Sequence, residues 1–252
     1  MKSKKVENYL QKIILILIAI IPLLYFNQIE NVPLKAFVLG AGSWGIGCIF
    51  KLLAYQIILS PLHKTNKSLL FISLLNGFLS GIVELLAAYV IILLMKDKFA
   101  FDFNAIISFG LAIGSFEIFI AVKTNADKIM KGTALEAQFG KMVAFLNNMQ
   151  GIRSYVFNVI FPVVERIACT FIHISTRGLV FITIITGSNI PLFIALAVFV
   201  IADGCLGYYY HISGKLATSK GYIQVNLYLL VLSVINTIVF LIMINPYRNF
   251  IL

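Results

Sequence analysis

Charge is scarce in this chain of 252 residues: Asp, Glu, Lys and Arg together make up 12%, while 60% is hydrophobic. Soluble domains carry about 25% charged and about 45–50% apolar residues, so a water-soluble globular enzyme is excluded. Cysteine is scarcer still, with three residues. Cys48, Cys169 and Cys205 each fall in an apolar run without CxxC spacing, which points to free buried thiols rather than a disulfide framework or a zinc cluster. A nucleotide-binding P-loop is absent, so ATP-driven chemistry would need another subunit. No small-x-small cleavage site follows the run ILILIAIIPLLYF; the basic start MKSKKVENYLQK therefore reads as the head of an uncleaved first helix, not as a secretory signal.

What remains is hydrophobic length. Mean hydropathy is +0.97, and crossing a hydrocarbon layer of about 30 Å takes about 20 apolar residues in a helix. Seven runs qualify, at about 9–27, 36–59, 69–95, 104–122, 157–183, 190–210 and 222–244. The expected fold is all-α, a single integral membrane domain over 1–252, a polytopic helical bundle. Pro22 and Pro162 fall inside runs, which membrane helices tolerate where neighbours satisfy the freed backbone groups. Pro162 is expected to kink the fifth.

Lysine and arginine set the orientation, because short cytoplasmic loops accumulate them. One set of loops holds Lys2, Lys4, Lys5, Lys12, Lys64, Lys67, Lys123, Lys128, Lys131, Lys141, Arg153, Lys215 and Lys220; the other holds Lys35, Lys96, Lys98 and Arg248. The expected topology in a cell membrane is N-terminus cytoplasmic and, with seven spans, C-terminus outside. The net charge of +10 is then explained by topology and anionic lipid headgroups, with the bilayer rather than nucleic acid as partner.

Between spans four and five, residues 123–156 form the one sizeable extramembrane piece. Leu135, Phe139, Met142, Val143, Phe145 and Leu146 recur at roughly helical spacing beside Lys131, Lys141 and Arg153. An amphipathic helix on the cytoplasmic face is expected, whether lying on the lipid or capping the bundle.

Ionisable groups inside hydrocarbon are costly and face a bundle interior. Four acids qualify: Glu84, Glu117, Glu165 and Asp203. Gly110 and Gly114 lie four apart, a small-xxx-small face suited to close packing, and Glu117 follows one turn later. Glu165, Cys169, His173 and Arg177 recur every four residues and form one slowly rotating polar stripe, flanked by Arg166 and Thr170. Such a stripe either builds a site or is an ion-pair network holding helices together. Lys51 lies about two turns from a helix end, and its amine is expected to snorkel to the interface without chemistry.

The segments GAGSWGIGCIFKLLAYQIILSPL, SGIVELLAAY, FGLAIGSFE, VERIACTFIHISTRGLV and FVIADG, spread over residues 36–210, resemble the YhfC-type intramembrane metallopeptidases, grouped with PrsW-like and CAAX-processing membrane proteases. That resemblance implies a Glu-Glu-x-x-Arg-Tyr motif where Glu84, Leu85, Ala88 and Tyr89 stand, and a Gly-x-Gly-His-Gly-x-x-Glu motif where Gly110, Ile113, Gly114 and Glu117 stand. It also implies a retained Glu165, Arg166 and His173, and a His-x-x-x-Asp pattern where Phe199 and Asp203 stand. Four polar positions of the family are thus apolar here.

By the same resemblance, Glu84 and Glu117 activate water. His173 serves as metal ligand or oxyanion donor; Asp203 and Glu117 complete a metal set; zinc is the implied ion; a membrane peptide is the substrate. Zinc lowers the pKa of a bound water to about 7 and usually takes three protein ligands, imidazoles among them, whereas this membrane interior offers His173 alone. Three readings stay open: a divergent active protease, a degenerate relative that binds a membrane peptide or partner without cutting it, and a small transporter component in which Glu84, Glu117 and Asp203 relay protons or cations.

Overall fold

A computed structural model describes residues 2–28, 32–63, 65, 67–96, 102–123 and 136–247. Lys64, Lys98, Lys128, Lys131, Leu135 and Arg248, and the side chains of Lys2, Lys4 and Lys5, lie outside the described residues. The described residues form helices joined by short turns, with no strand among them.

Helix α1 is Lys2–Gln28. Helix α2, Val32–Ala54, runs on through a widened turn, Tyr55–Leu59, and Ser60–Leu62. Then come α3, Leu69–Met95, α4, Phe103–Lys123, and the shorter α5, Glu136–Asn148. Helix α6 spans Gly151–Thr186, α7 spans Ile190–Ile212, and α8 is Ser219–Ile244. Among the described residues six helices are long and apolar enough to cross a membrane, from α2, α3, α4, α6, α7 and α8, and the protein is a multi-pass membrane protein. Helix α1 is equally long, but its first turns are polar at Glu7, Asn8, Gln11 and Lys12.

Helix ends follow local chemistry. Ser68 Oγ accepts from Phe71 N at 3.2 Å, Asp102 Oδ1 from Ala105 N at 2.6 Å, and Thr218 Oγ1 from Gly221 N at 3.1 Å, each satisfying an otherwise orphaned amide at a helix start. Helix α6 ends at Gly187, whose φ of +69° suits only glycine without strain. Pro162 does not break α6. Its ring crowds the carbonyl four residues back and it brings no amide, so the ladder opens into a π turn, Val156–Ile160, and continues. Pro61 stands in the same relation to Tyr55–Leu59. A longer π segment, Val200–Tyr209, carries Asp203 without any proline.

Helix α6 is the axis of the bundle, packed against α4, α8, α7, α3 and α1. Its most apolar stretch is 78% buried, against 56% or less for the other five spans. The polar stripe explains this placement, since a helix carrying Glu165, Arg166, His173 and Arg177 has no face fit for lipid. Its hydroxyls are satisfied internally: Thr170, Thr176 and Thr183 donate to carbonyls one turn back. The outer helices expose apolar faces, such as Val231, Val234, Ile238 and Ile242 of α8.

Small residues set the closest crossings. A Cβ at Gly110 would collide with the Ile174 backbone, and one at Gly114 would lie 2.5 Å from Thr170 Oγ1, so α4 meets α6 backbone to backbone. Helix α3 meets α7 through Gly77 and Gly204, where a Cβ on Gly204 would sit 2.6 Å from the Ser73 carbonyl oxygen. These two crossings bring Glu117 to α6 and Asp203 to α3.

Candidate functional site

The intramembrane charges form two groups. In the first, Arg166 joins two acids: Nη2 donates to Glu165 Oε1 at 2.5 Å and Nη1 to Glu117 Oε2 at 3.3 Å. His173 Nε2 lies 3.4 Å from the same Glu117 oxygen. Glu117 is thus gripped between two α6 residues seven positions apart, two turns of one face.

The second group joins α2, α3, α6 and α7. Arg177 Nη2 donates to Glu84 Oε2 at 2.8 Å, and its guanidinium stands 5.0 Å from the Phe199 ring centre. Lys51 Nζ donates to Asp203 Oδ2 at 2.8 Å and to Glu84 Oε1 at 3.5 Å. Ser80 Oγ donates to Asp203 Oδ2 at 2.5 Å. From Glu165 to Arg177 the two groups extend about 18 Å along α6, at about 1.5 Å per residue.

A cavity of about 560 Å³ connects them, lined by Lys51, Glu117, Glu165, Arg166 and Asp203. Its walls add Asn76, Leu206, Tyr208, Tyr222, Asn226 and Leu229, and it reaches the bundle end where Phe139 and Met142 of α5 and Leu216 close over it. Helix α5 is held there by ring stacking of Phe139 on His211, centroids 6.0 Å apart, and by contact of Gln138 with Gly214. At the rim, Tyr208 shares a short hydrogen bond with His63, and burial pushes the His63 pKa below its usual value.

The residues expected to act together are therefore divided. Glu117 meets His173; Glu84 and Asp203 meet each other at Lys51 instead. Glu117 and Asp203 line the cavity, whereas Glu84 and His173 lie behind it, both buried. Gly110 and Gly114 form the α4–α6 contact, and Glu165, Arg166 and Arg177 make the ion pairs.

Lys51 departs from the expectation that it snorkels: its amine turns inward and bridges two acids. Gly47, one turn before it, makes this feasible, because a Cβ there would come within 3.2 Å of the Glu84 backbone. A lysine one turn after a glycine, in a chain with intramembrane acids, was the signal. Ser80, four residues before Glu84, shares its helix face and was legible on that ground; Tyr222 and Asn226 carried no signal, being common residues in apolar runs.

The zinc implied by the resemblance finds a poor match. Among the described residues no three His, Cys, Asp or Glu side chains are grouped to hold a metal. Glu117 already carries Arg166, and Asp203 carries Lys51; a divalent cation would compete with fixed cations at each acid. His173 Nδ1 is buried with no hydrogen-bond partner, so the outer partner that usually orients a zinc-bound imidazole is missing as well.

Compared with known protein families, with curated proteins and with solved structures, the chain gives no match.

Proposed function

We propose that this protein crosses the cell membrane seven times with its N-terminus in the cytoplasm, and that it is a relative of YhfC-type intramembrane peptidases that binds a membrane peptide in the charged cavity without cutting it. One observation carries the non-cleaving part: each intramembrane carboxylate is engaged by a cation, Glu84 by Arg177 and Lys51, Asp203 by Lys51, Glu117 and Glu165 by Arg166. A carboxylate so held is a weak general base, since the cation favours its unprotonated form over the protonated product of base catalysis.

Seven crossings are supported by the 27 residues of α1, about 40 Å at 1.5 Å per residue, which exceeds the hydrocarbon thickness. The orientation is supported by the end of the bundle where α1 begins. It carries Lys67, Lys123, Lys141, Arg153, Lys215 and Lys220, while the other end carries Lys35 and Lys96.

The test uses purified protein in lipid nanodiscs with a fluorescent single-span peptide. Saturable binding with no hydrolysis above that of empty nanodiscs is expected. Hydrolysis that disappears in Glu117→Gln or Glu84→Gln overturns the non-cleaving assignment.

The cavity also favours a second reading, a small transporter component, because Lys51, Glu117 and Asp203 line a space that reaches one end of the bundle. Cation or proton flux in proteoliposomes that is lost in Glu117→Gln supports transport; flux indifferent to that change counts against it.

A further inference from the structure

Helix α5 carries no buried residue, yet it lies across the mouth of the charged cavity, to which it contributes Phe139 and Met142. A segment with so little buried surface sits at the low end of local stability. Its C-terminal end is tied to α6: Phe145 packs edge-on against Phe157 with ring centroids 5.8 Å apart, and Asn158 Nδ2 donates to the Leu146 carbonyl at 3.4 Å. Its first turns rest on the end of α7 and the turn that follows, through Phe139 on His211 and Gln138 on Gly214.

The two ends differ in quality. Gln138 Oε1 is buried and has no hydrogen-bond partner among the described residues. A buried acceptor left unpaired costs free energy that contact with water restores. The closed position is therefore opposed at Gln138, while the stacking of Phe139 on His211 favours it. Between α5 and α6 the chain has the backbone of a pivot: Gln150 is extended at φ −134° and Gly151 takes φ +56°, so the two helices join without continuing each other.

We propose that α5 is a lid on the cavity, pivoting at Met149–Gly151 and swinging its Gln138–Met142 end away from the mouth. Closed, it keeps water from Lys51, Glu117, Glu165, Arg166 and Asp203, whose ion pairs are stronger in a dry setting. Open, it admits a ligand from the water side and hydrates Gln138. The lid is independent of what the cavity takes, peptide or ion, and either could fail without the other.

The test reads access to the cavity with a soluble reagent and no ligand. The reference protein has Cys48, Cys169 and Cys205 replaced by Ala, and carries Val225→Cys, a near-isosteric change at a cavity-lining position 5% exposed. In nanodiscs, its reaction with a dilute, charged methanethiosulfonate, followed by intact mass, scales with the open fraction when closing outpaces labelling. Phe139→Ala removes the stacking and is expected to speed the reaction about tenfold. Gln138→Leu removes the unpaired acceptor while keeping the bulk, and is expected to slow it severalfold. Thr183→Cys, 3% exposed and one turn from the opposite end of α6, is the control and is expected to react alike with each of these changes. A Val225→Cys rate that neither change alters overturns the lid, and so does a faster rate in Gln138→Leu. Should Phe139→Ala loosen the whole bundle, so that Thr183→Cys accelerates too, Gln138→Leu decides: slowing supports the lid, and an unchanged rate overturns it.

Discussion

Arg177 and Glu84 meet at 2.8 Å with 1% and 4% of their side chains exposed, the most enclosed ion pair among the described residues. Removing one member of a buried pair costs about 3–5 kcal/mol, and without Arg177 the Glu84 carboxylate keeps only the longer contact to Lys51, at 3.5 Å. Arg177→Met is therefore expected to lower stability by about that much in SDS-titration unfolding of the detergent-solubilised protein. The double variant Arg177→Met/Glu84→Gln is expected to lose less than the sum of the two single changes. Strict additivity would mean that the two residues do not act on each other.

Close crossings give a second expectation. Gly110 lies against the Ile174 backbone, whereas Gly42 has nothing within 4 Å of the position a Cβ would take. Gly110→Ala is expected to cost about 1–3 kcal/mol through overpacking. Gly42→Ala is expected to be neutral or stabilising by up to about 1 kcal/mol, from helix propensity. Thermal midpoints of the two variants in one detergent compare them directly; equal shifts would remove the special role of the α4–α6 contact.

Much of the fold was legible because hydrocarbon imposes a length. The apolar runs at 36–59, 69–95, 104–122, 157–183, 190–210 and 222–244 reappear as helices, with ends shifted by a few residues. The largest shift, the start of α6 at Gly151, arises because the π turn before Pro162 lets the helix continue upstream. The helix expected within 123–156 is found at Glu136–Asn148, with 124–135 outside the described residues. Pairing was less legible. A spacing of four residues tells which side chains share a face, so the stripe from Glu165 to Arg177 could be read. It does not tell which helix that face meets, so neither Arg177 with Glu84 nor Lys51 with Asp203 could be read. Lys51 was the hardest, since the same distance from a helix end suits both a snorkelling lysine and one turned inward.

The orientation is checked by thiol labelling. In a background with Cys48, Cys169 and Cys205 replaced by Ala, single cysteines at Lys67 and Lys141 are expected to react with a membrane-impermeant maleimide only in inside-out vesicles. Single cysteines at Lys35 and Lys96 are expected to react in intact cells. The reverse pattern inverts the proposed topology; labelling of Lys67 and Lys141 from opposite sides would break the bundle end they share.

The rim of the cavity predicts a pH effect of definite sign. Burial lowers the His63 pKa, so the unfolded chain binds a proton more readily than the folded one, and stability rises with pH across the interval between the folded and unfolded values. The contribution is present above the ordinary histidine value of about 6.5 and is lost as pH falls below it. A lower thermal midpoint at pH 5 than at pH 7.5 is expected for the wild type. In His63→Gln the part of that difference due to His63 is expected to vanish, while Tyr208 keeps a side chain able to share a hydrogen bond. A wild type and variant with the same pH dependence would show that His63 titrates alike in folded and unfolded chains.

The charge pattern around His173 makes metal content informative in its own right. With Arg166 on Glu117 and Lys51 on Asp203, zinc binding would have to displace a fixed cation from each acid, and His173 alone binds such an ion weakly. Elemental analysis of protein extracted gently and without chelator is expected to give well under one zinc per chain, about 0.1 or less, against the near-unit occupancy of a three-ligand catalytic site. The same value is expected for His173→Ala. Stoichiometric zinc that His173→Ala removes would require Glu117 to leave Arg166 and turn to the metal, and would restore the hydrolytic reading of this site.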